Sequence, residues 1–259
     1  MGYKTKLFHI DIAGITFLLT LENEVSQCLY RRLKKAFIEF ISKDKNPHQR
    51  IKISSSPQGR DFDFTQKGKT LEVLSSKKLL ENKRLWHMFL DILTKRIRDS
   101  VLSYPNMILL HAAACAKNNK GYLFLGPSKS GKTTVTKLLR GYSVLSDDKI
   151  LIKRKGRKYY LYQVPLLCHE SKKPQKNIKA TIFIDKIFLL RKSCKVQFKK
   201  VSKARAFANL LEGSKELNRI FKPDIRKVFD ISYGIACSIP AYEMYFKKDA
   251  SFGDMPLVE

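Results

Sequence analysis

The sequence is short of several things, and each shortage narrows the reading. No apolar run approaches the ~20 residues that span a bilayer. The best, residues 15–21 (ITFLLTL), follows His9 and Asp11 with no small-residue cleavage site, so the expectation is a soluble, cytoplasmic protein. Cysteine is sparse: five residues, Cys28, Cys115, Cys168, Cys194 and Cys237, an odd number without a C-x-x-C pair. That argues against a disulfide framework or a thiolate zinc site and fits reduced thiols. Acidic residues are few, 23 against 51 Lys and Arg, which gives a formal net charge of +28 over 259 residues. Such a field draws anions. Lysine is nevertheless spread along the whole chain, and no arginine-bearing element suited to reading bases stands out, so nucleic acid is not the expected partner. Repeats and low-complexity stretches are missing, as are an Asn-Lys-x-Asp guanine motif and a Leu-Ser-Gly-Gly signature.

Against these gaps one stretch carries chemistry. Gly126-Pro127-Ser128-Lys129-Ser130-Gly131-Lys132-Thr133-Thr134 is a complete G-x-x-x-x-G-K-[ST] loop. An apolar run, residues 121–125 (GYLFL), leads into it, and Val135, Leu138 and Leu139 continue at helical spacing from Lys132. Gly126 and Gly131 permit backbone angles that turn successive N–H groups toward phosphate oxygens, with a helix N-terminus behind them. Lys132 is expected to reach the β- and γ-phosphates, and Thr133 to offer its hydroxyl to Mg²⁺. The alternative, a Gly/Ser turn with a solvated lysine, leaves both flanks unexplained. Two basic clusters, residues 153–158 (KRKGRK) and 172–179 (KKPQKNIK), follow the loop. They read as solvated turns placed where they could also guide an acidic acceptor or cover a nucleotide.

Two domains are expected, 1–104 and 105–259. In the first, residues 3–21 form two extended segments broken at Ala13-Gly14, and residues 25–41 place Val25, Leu29, Leu33, Phe37 and Phe40 on one helical stripe. Residues 50–54, 61–65 and 70–74 alternate like a small antiparallel sheet, and residues 79–102 are helical with Leu85, Phe89, Ile92, Leu93 and Ile97 inward. In the second, residues 107–116 and 121–125 are two strands about a tight turn. Residues 142–145, 150–153, 158–163 and 180–190 are further strands. Helices begin at Ser202 (ending near Glu212), Lys215 and Asp224, and residues 241–246 close the sheet.

Three further positions stand out. His111 ends an apolar run and alone reads as a core-edge histidine. Asp147-Asp148 follows the strand after the loop's helix, where carboxylates can face the same phosphates, or merely cap a strand. Asp185, in residues 181–185 (TIFID), has the apolar-then-Asp form of a Walker B strand but is followed by Lys186 and more apolar residues. The order His111, phosphate loop, Asp147-Asp148 resembles the catalytic domain of HPr kinase/phosphorylase and its relatives, which share a fold with phosphoenolpyruvate carboxykinase. The resemblance covers residues 107–152 and thins out to 246; Ala112 stands where that family commonly has Gly. It implies an α/β P-loop kinase domain of that type behind a smaller N-terminal α+β domain. It also implies ATP and Mg²⁺, catalytic roles for His111, Lys132, Asp147 and Asp148, metal ligation by Thr133 and Asp147, and Glu170 as a guess for a further metal ligand. The resulting expectation is a kinase that moves the γ-phosphoryl group to a hydroxyl, a serine of a protein or peptide, with an acidic acceptor and a homo-oligomer both left open. Its rivals are an ATPase or nucleotide-dependent switch and a non-catalytic nucleotide-binding module with an anionic partner.

Overall fold

The computed structural model describes residues 5–22, 26–56, 61–165, 182–221 and 224–247. These fall into two compact units: residues 5–101 with Pro165, and residues 102–164 with 182–247.

The first unit begins with strands β1 (Lys6–Ile12) and β2 (Ile15–Leu21), joined where Ala13 and Gly14 both take positive φ, 57° and 81°, as a tight hairpin turn requires. Helix α1 (Ser26–Ala36) leads through a short 3₁₀ turn (Ile38–Phe40) to β3 (Ile41–Ser42); β4 (Gln49–Ser55), β5 (Phe62–Lys67), β6 (Thr70–Ser75), α2 (Lys78–Glu81) and α3 (Lys83–Leu102) follow. The strand order is β3-β1-β2-β4-β6-β5. The expected small antiparallel sheet is corrected: β4 runs parallel to both β2 and β6, and only β5 is antiparallel to β6. Alternation of apolar residues fixes which face of a strand is buried, not its direction. Ile10, Phe17, Leu19, Ile51 and Val73 line the buried face, and Leu29, Leu33, Phe37, Phe89 and Leu93 are buried with them. Val25 lies outside the described residues.

The second unit holds β7 (Met107–His111), β8 (Ala113–Lys117), β9 (Lys120–Leu125), α4 (Lys132–Leu138), β10 (Ser143–Ser146), β11 (Lys149–Lys155) and β12 (Lys158–Tyr162). After these come β13 (Ile182–Lys192), β14 (Gln197–Lys200), α5 (Lys203–Phe221), α6 (Ile225–Ser238) and β15 (Ala241–Phe246). The nine strands follow the order β10-β8-β9-β13-β12-β11-β7, with β15 added to β13 and β14 to β15. Period-two alternation sends side chains to two cores. Leu123, Leu125, Ile187, Leu189 and Ala241 join the buried faces of α5 and α6, whereas Tyr122, Phe124, Phe188, Leu190, Tyr242, Met244 and Phe246 join Val135 and Leu139 beside α4.

Three expectations change here. The run 107–116 is two strands, broken at Ala112. The register nonetheless holds across the break: His111 faces Lys149 and Ala114 faces Ser146, three steps inward on each side. β7 with β8 and β10 with β11 therefore form one antiparallel ladder interrupted opposite Asp147-Asp148. Second, β14 was not anticipated. Third, a single helix, α5, spans the residues read as two. Gly213 does not end it; the helix continues through it, and a Cβ there would meet Leu125 Cδ2 at an ordinary van der Waals distance of 3.5 Å.

Candidate functional site

The phosphate loop joins the end of β9 to α4, and its shape is set by residues that cannot carry or move a side chain. Lys129 and Gly131 take positive φ, 65° and 103°, and Ser130 N–H donates to the Pro127 carbonyl at 3.1 Å. A Cβ on Gly126 would sit 2.6 Å from Ser130 Oγ, and one on Gly131 would sit 2.7 Å from the Phe246 ring. Both glycines are thus needed sterically, and Gly131 conformationally as well. Ser130 Oγ is buried with no hydrogen-bond partner among the described residues, an orphan group beside the cradle that a phosphate ligand could satisfy. Lys132 as a whole is 7% exposed, and its ammonium donates to the carbonyls of Gly126 (2.8 Å) and Pro127 (3.1 Å), which holds it at the loop. Because α4 has only seven residues, the loop amides and this ammonium are the main source of positive potential, and the helix dipole adds little. Thr134 follows in the first turn of α4, while Ser128 and Lys129 are exposed on the outer loop.

The acid pair reaches the loop from the ladder break. Ser146 Oγ accepts from the N–H groups of Asp148 (3.2 Å) and Lys149 (3.1 Å) and so folds the two-residue link between β10 and β11. Asp147 turns toward the loop, where Thr133 Oγ1 donates to its Oδ2 at 3.4 Å. Asp148 turns the other way: its Oδ1 lies 3.5 Å from His111 Nε2 and its Oδ2 3.8 Å from Lys149 Nζ. His111, Thr133, Asp147 and Asp148 are thereby gathered around one end of β9. Lys149 went unremarked in the sequence; the signal was its place beside the acid pair.

Asp185 is elsewhere. It lies at a bulge of β13 by the start of β9, with Lys120 Nζ at 4.0 Å, and β9 carries the chain roughly 17 Å from there to the loop. The β13 residue that does touch the loop is Leu190, whose Cβ is 3.5 Å from where a Gly126 Cβ would be. A Walker B role for Asp185 is ruled out on this distance. Glu170 lies outside the described residues.

Among the described residues no three His, Cys, Asp or Glu side chains gather closely enough to hold a metal by themselves. A magnesium ion fits Thr133 and Asp147 only if phosphate oxygens complete its octahedron, which is how this cation usually binds. The glycine cradle, the orphan Ser130 hydroxyl and the Lys132 ammonium are consistent with such a ligand.

Residues 81–252 match the family ScmC, SynChlorMet cassette protein ScmC, and the chain belongs to that family. This corrects the resemblance to HPr kinase/phosphorylase, which rested on three short stretches within residues 107–152, whereas the match spans most of the second unit and α3. No curated protein matches the chain.

Proposed function

We propose that this member of the ScmC family is an ATP-dependent, Mg²⁺-requiring P-loop kinase that transfers the γ-phosphoryl group to a hydroxyl, a serine of a protein or peptide. The observation that carries the reading is the Thr133–Asp147 contact, which brings the hydroxyl that follows the loop lysine against a carboxylate from the link between β10 and β11. A bare anion cradle has no need of that carboxylate.

The division of labour follows from the contacts. The loop amides and Lys132 hold the phosphates, and Lys132 exchanges its carbonyl partners for phosphate oxygens. Thr133 and Asp147 would hold a magnesium ion, which would supply neutralisation of phosphate charge. Asp148 faces away from that seat, so it is the base: it takes the proton of the acceptor hydroxyl as the hydroxyl oxygen bonds to the γ-phosphorus. The bond from phosphorus to the β–γ bridging oxygen breaks, and ADP leaves with that electron pair. His111 and Lys149 orient the Asp148 carboxylate from two sides. The field of a +28 chain favours an acidic acceptor. The family's name speaks of a cassette, so products of neighbouring genes are the first acceptors to try.

Transfer from γ-labelled ATP with Mg²⁺ into a lysate of the source cells tests this. Wild type should label a band, Lys132→Ala should lose both binding and transfer, and Asp148→Asn should bind ATP but lower transfer by about a hundredfold or more. Free phosphate without a labelled band would favour an ATPase or nucleotide switch. Full transfer by Asp148→Asn would remove the base assignment.

A further inference from the structure

A second charged cluster lies at the same end of the sheet. Glu243 sits mid-strand in β15 between Tyr242 and Met244 and is only 5% exposed. Burial alone would push its carboxyl up, but Arg191, Tyr245 and Arg205 together hold it below its ordinary value. Arg191 Nε donates to Oε1 at 3.0 Å, Arg205 Nη2 donates to the same oxygen, and Tyr245 Oη donates to Oε2 at 3.0 Å. A buried carboxylate is costly to keep and gains little stability over an apolar residue of similar size. What it does provide here is fixed aim. Two guanidinium groups are held side by side, their side chains 40% and 48% exposed, and both Nη groups of Arg191 have no partner among the described residues.

The cluster's place in the fold says what it faces. Leu189 pairs with Leu125 on one side of β13 and with Glu243 on the other, so the cluster is level with the last residue before the loop. Leu190 touches the loop at Gly126, and Arg191 is the next residue, on the opposite face. Phe246, just past Tyr245, packs under Gly131. Helix α5 carries Arg205 at one point and Gly213 at another, beside Leu125 and the His111 carbonyl. The acids therefore flank the loop from the β10 side and the arginines from the β13 side.

We infer that Arg191 and Arg205, held by Glu243, form a second anion site that receives the terminal phosphoryl group of the bound nucleoside triphosphate. The inference rests on reading the loop as a nucleotide site. The two guanidinium forks supply planar, permanently charged donors suited to phosphate oxygens, and a group there stabilises the charge that shifts during transfer.

Calorimetric titration of the full chain with Mg·ATP and with Mg·ADP tests it, using Arg191→Gln and Arg205→Gln. The expected result is affinity for ATP reduced by about tenfold or more, the worth of a hydrogen bond to a charged group, with affinity for ADP unchanged within about twofold. Arg205→Gln leaves the Arg191–Glu243 contact in place and carries the test if Arg191→Gln fails to fold, as judged by its melting curve. ATP affinity equal to wild type in folded variants overturns the inference and leaves the loop reading intact. Equal losses for ATP and ADP overturn it too, because the effect then belongs to the loop as a whole. If wild type binds neither nucleotide, the loop reading itself falls and takes this inference with it.

Discussion

The two units solve the same packing problem and differ in where they bury polar groups. In the first, Thr16, Ser75, Thr94 and Arg98 are buried at scattered points, and Thr94 is simply satisfied by its own helix through the Leu90 carbonyl. In the second, Ser214 and Ser232 are buried singly in α5 and α6, but Ser130, Lys132, Thr136 and Ser146 are buried close together in sequence, and Glu243 is buried level with the end of β9. Scattered burial is the residue of covering a sheet. Burial concentrated at one end of one sheet puts desolvation costs where only a ligand or a held geometry can offset them. The second unit thus carries a localised group of buried polar side chains that the first lacks.

Glycine substitution breaks this comparison most sharply. Gly68 in the first unit and Gly131 in the loop both take positive φ, 55° and 103°. A Cβ on Gly68 meets nothing within 4 Å, whereas one on Gly131 meets the Phe246 ring at 2.7 Å. Gly68→Ala should therefore be destabilised only by left-handed strain, about 1 kcal/mol. Gly131→Ala should be destabilised by that strain plus overpacking, about 2–4 kcal/mol together. Urea unfolding of both variants measures the gap. Equal losses would mean that Phe246 gives way freely and that the loop is not sterically locked.

How much of this was legible follows from the range of each signal. The turn from β9 into α4 could be read because its determinants are local: two glycines and a lysine within residues 126–134, ahead of a helical pattern. The Ala13-Gly14 turn could be read for the same reason. The break at Ala112 could not, since residues 107–116 are apolar throughout and periodicity has nothing to mark. The opposite directions in which Asp147 and Asp148 turn depend on that break and on the Ser146 hydroxyl, and so were hidden with it. Glu243 did leave a trace, a lone acid inside residues 241–246 (AYEMYF), but its two arginines come from 52 and 38 residues away. The family was misread for a related reason. Three short motifs in a fixed order report a local arrangement, whereas the match over residues 81–252 reports descent.

A smaller effect sharpens the contrast from the acid side. Because the folded chain holds the Glu243 carboxyl below its ordinary value, that group adds stability which is fully present above pH ~4.5 and is lost as pH falls through the lower folded-state value. Glu243→Gln removes the titration, and with it the tie that fixes Arg191 and Arg205. At pH 7 the variant should melt a few degrees below wild type, on the order of 1 kcal/mol in a chain of this size. The difference should shrink as melting is followed downward from pH 6 through the folded-state value, as wild type itself takes up the proton. Scattered polar positions of the first unit predict no such convergence: Thr94→Val should shift melting by the same amount at every pH. A Glu243→Gln offset that stayed constant across that range would show that the carboxylate is not the charged centre of the arginine pair, and the concentration of charge at this end of the sheet would lose its energetic meaning.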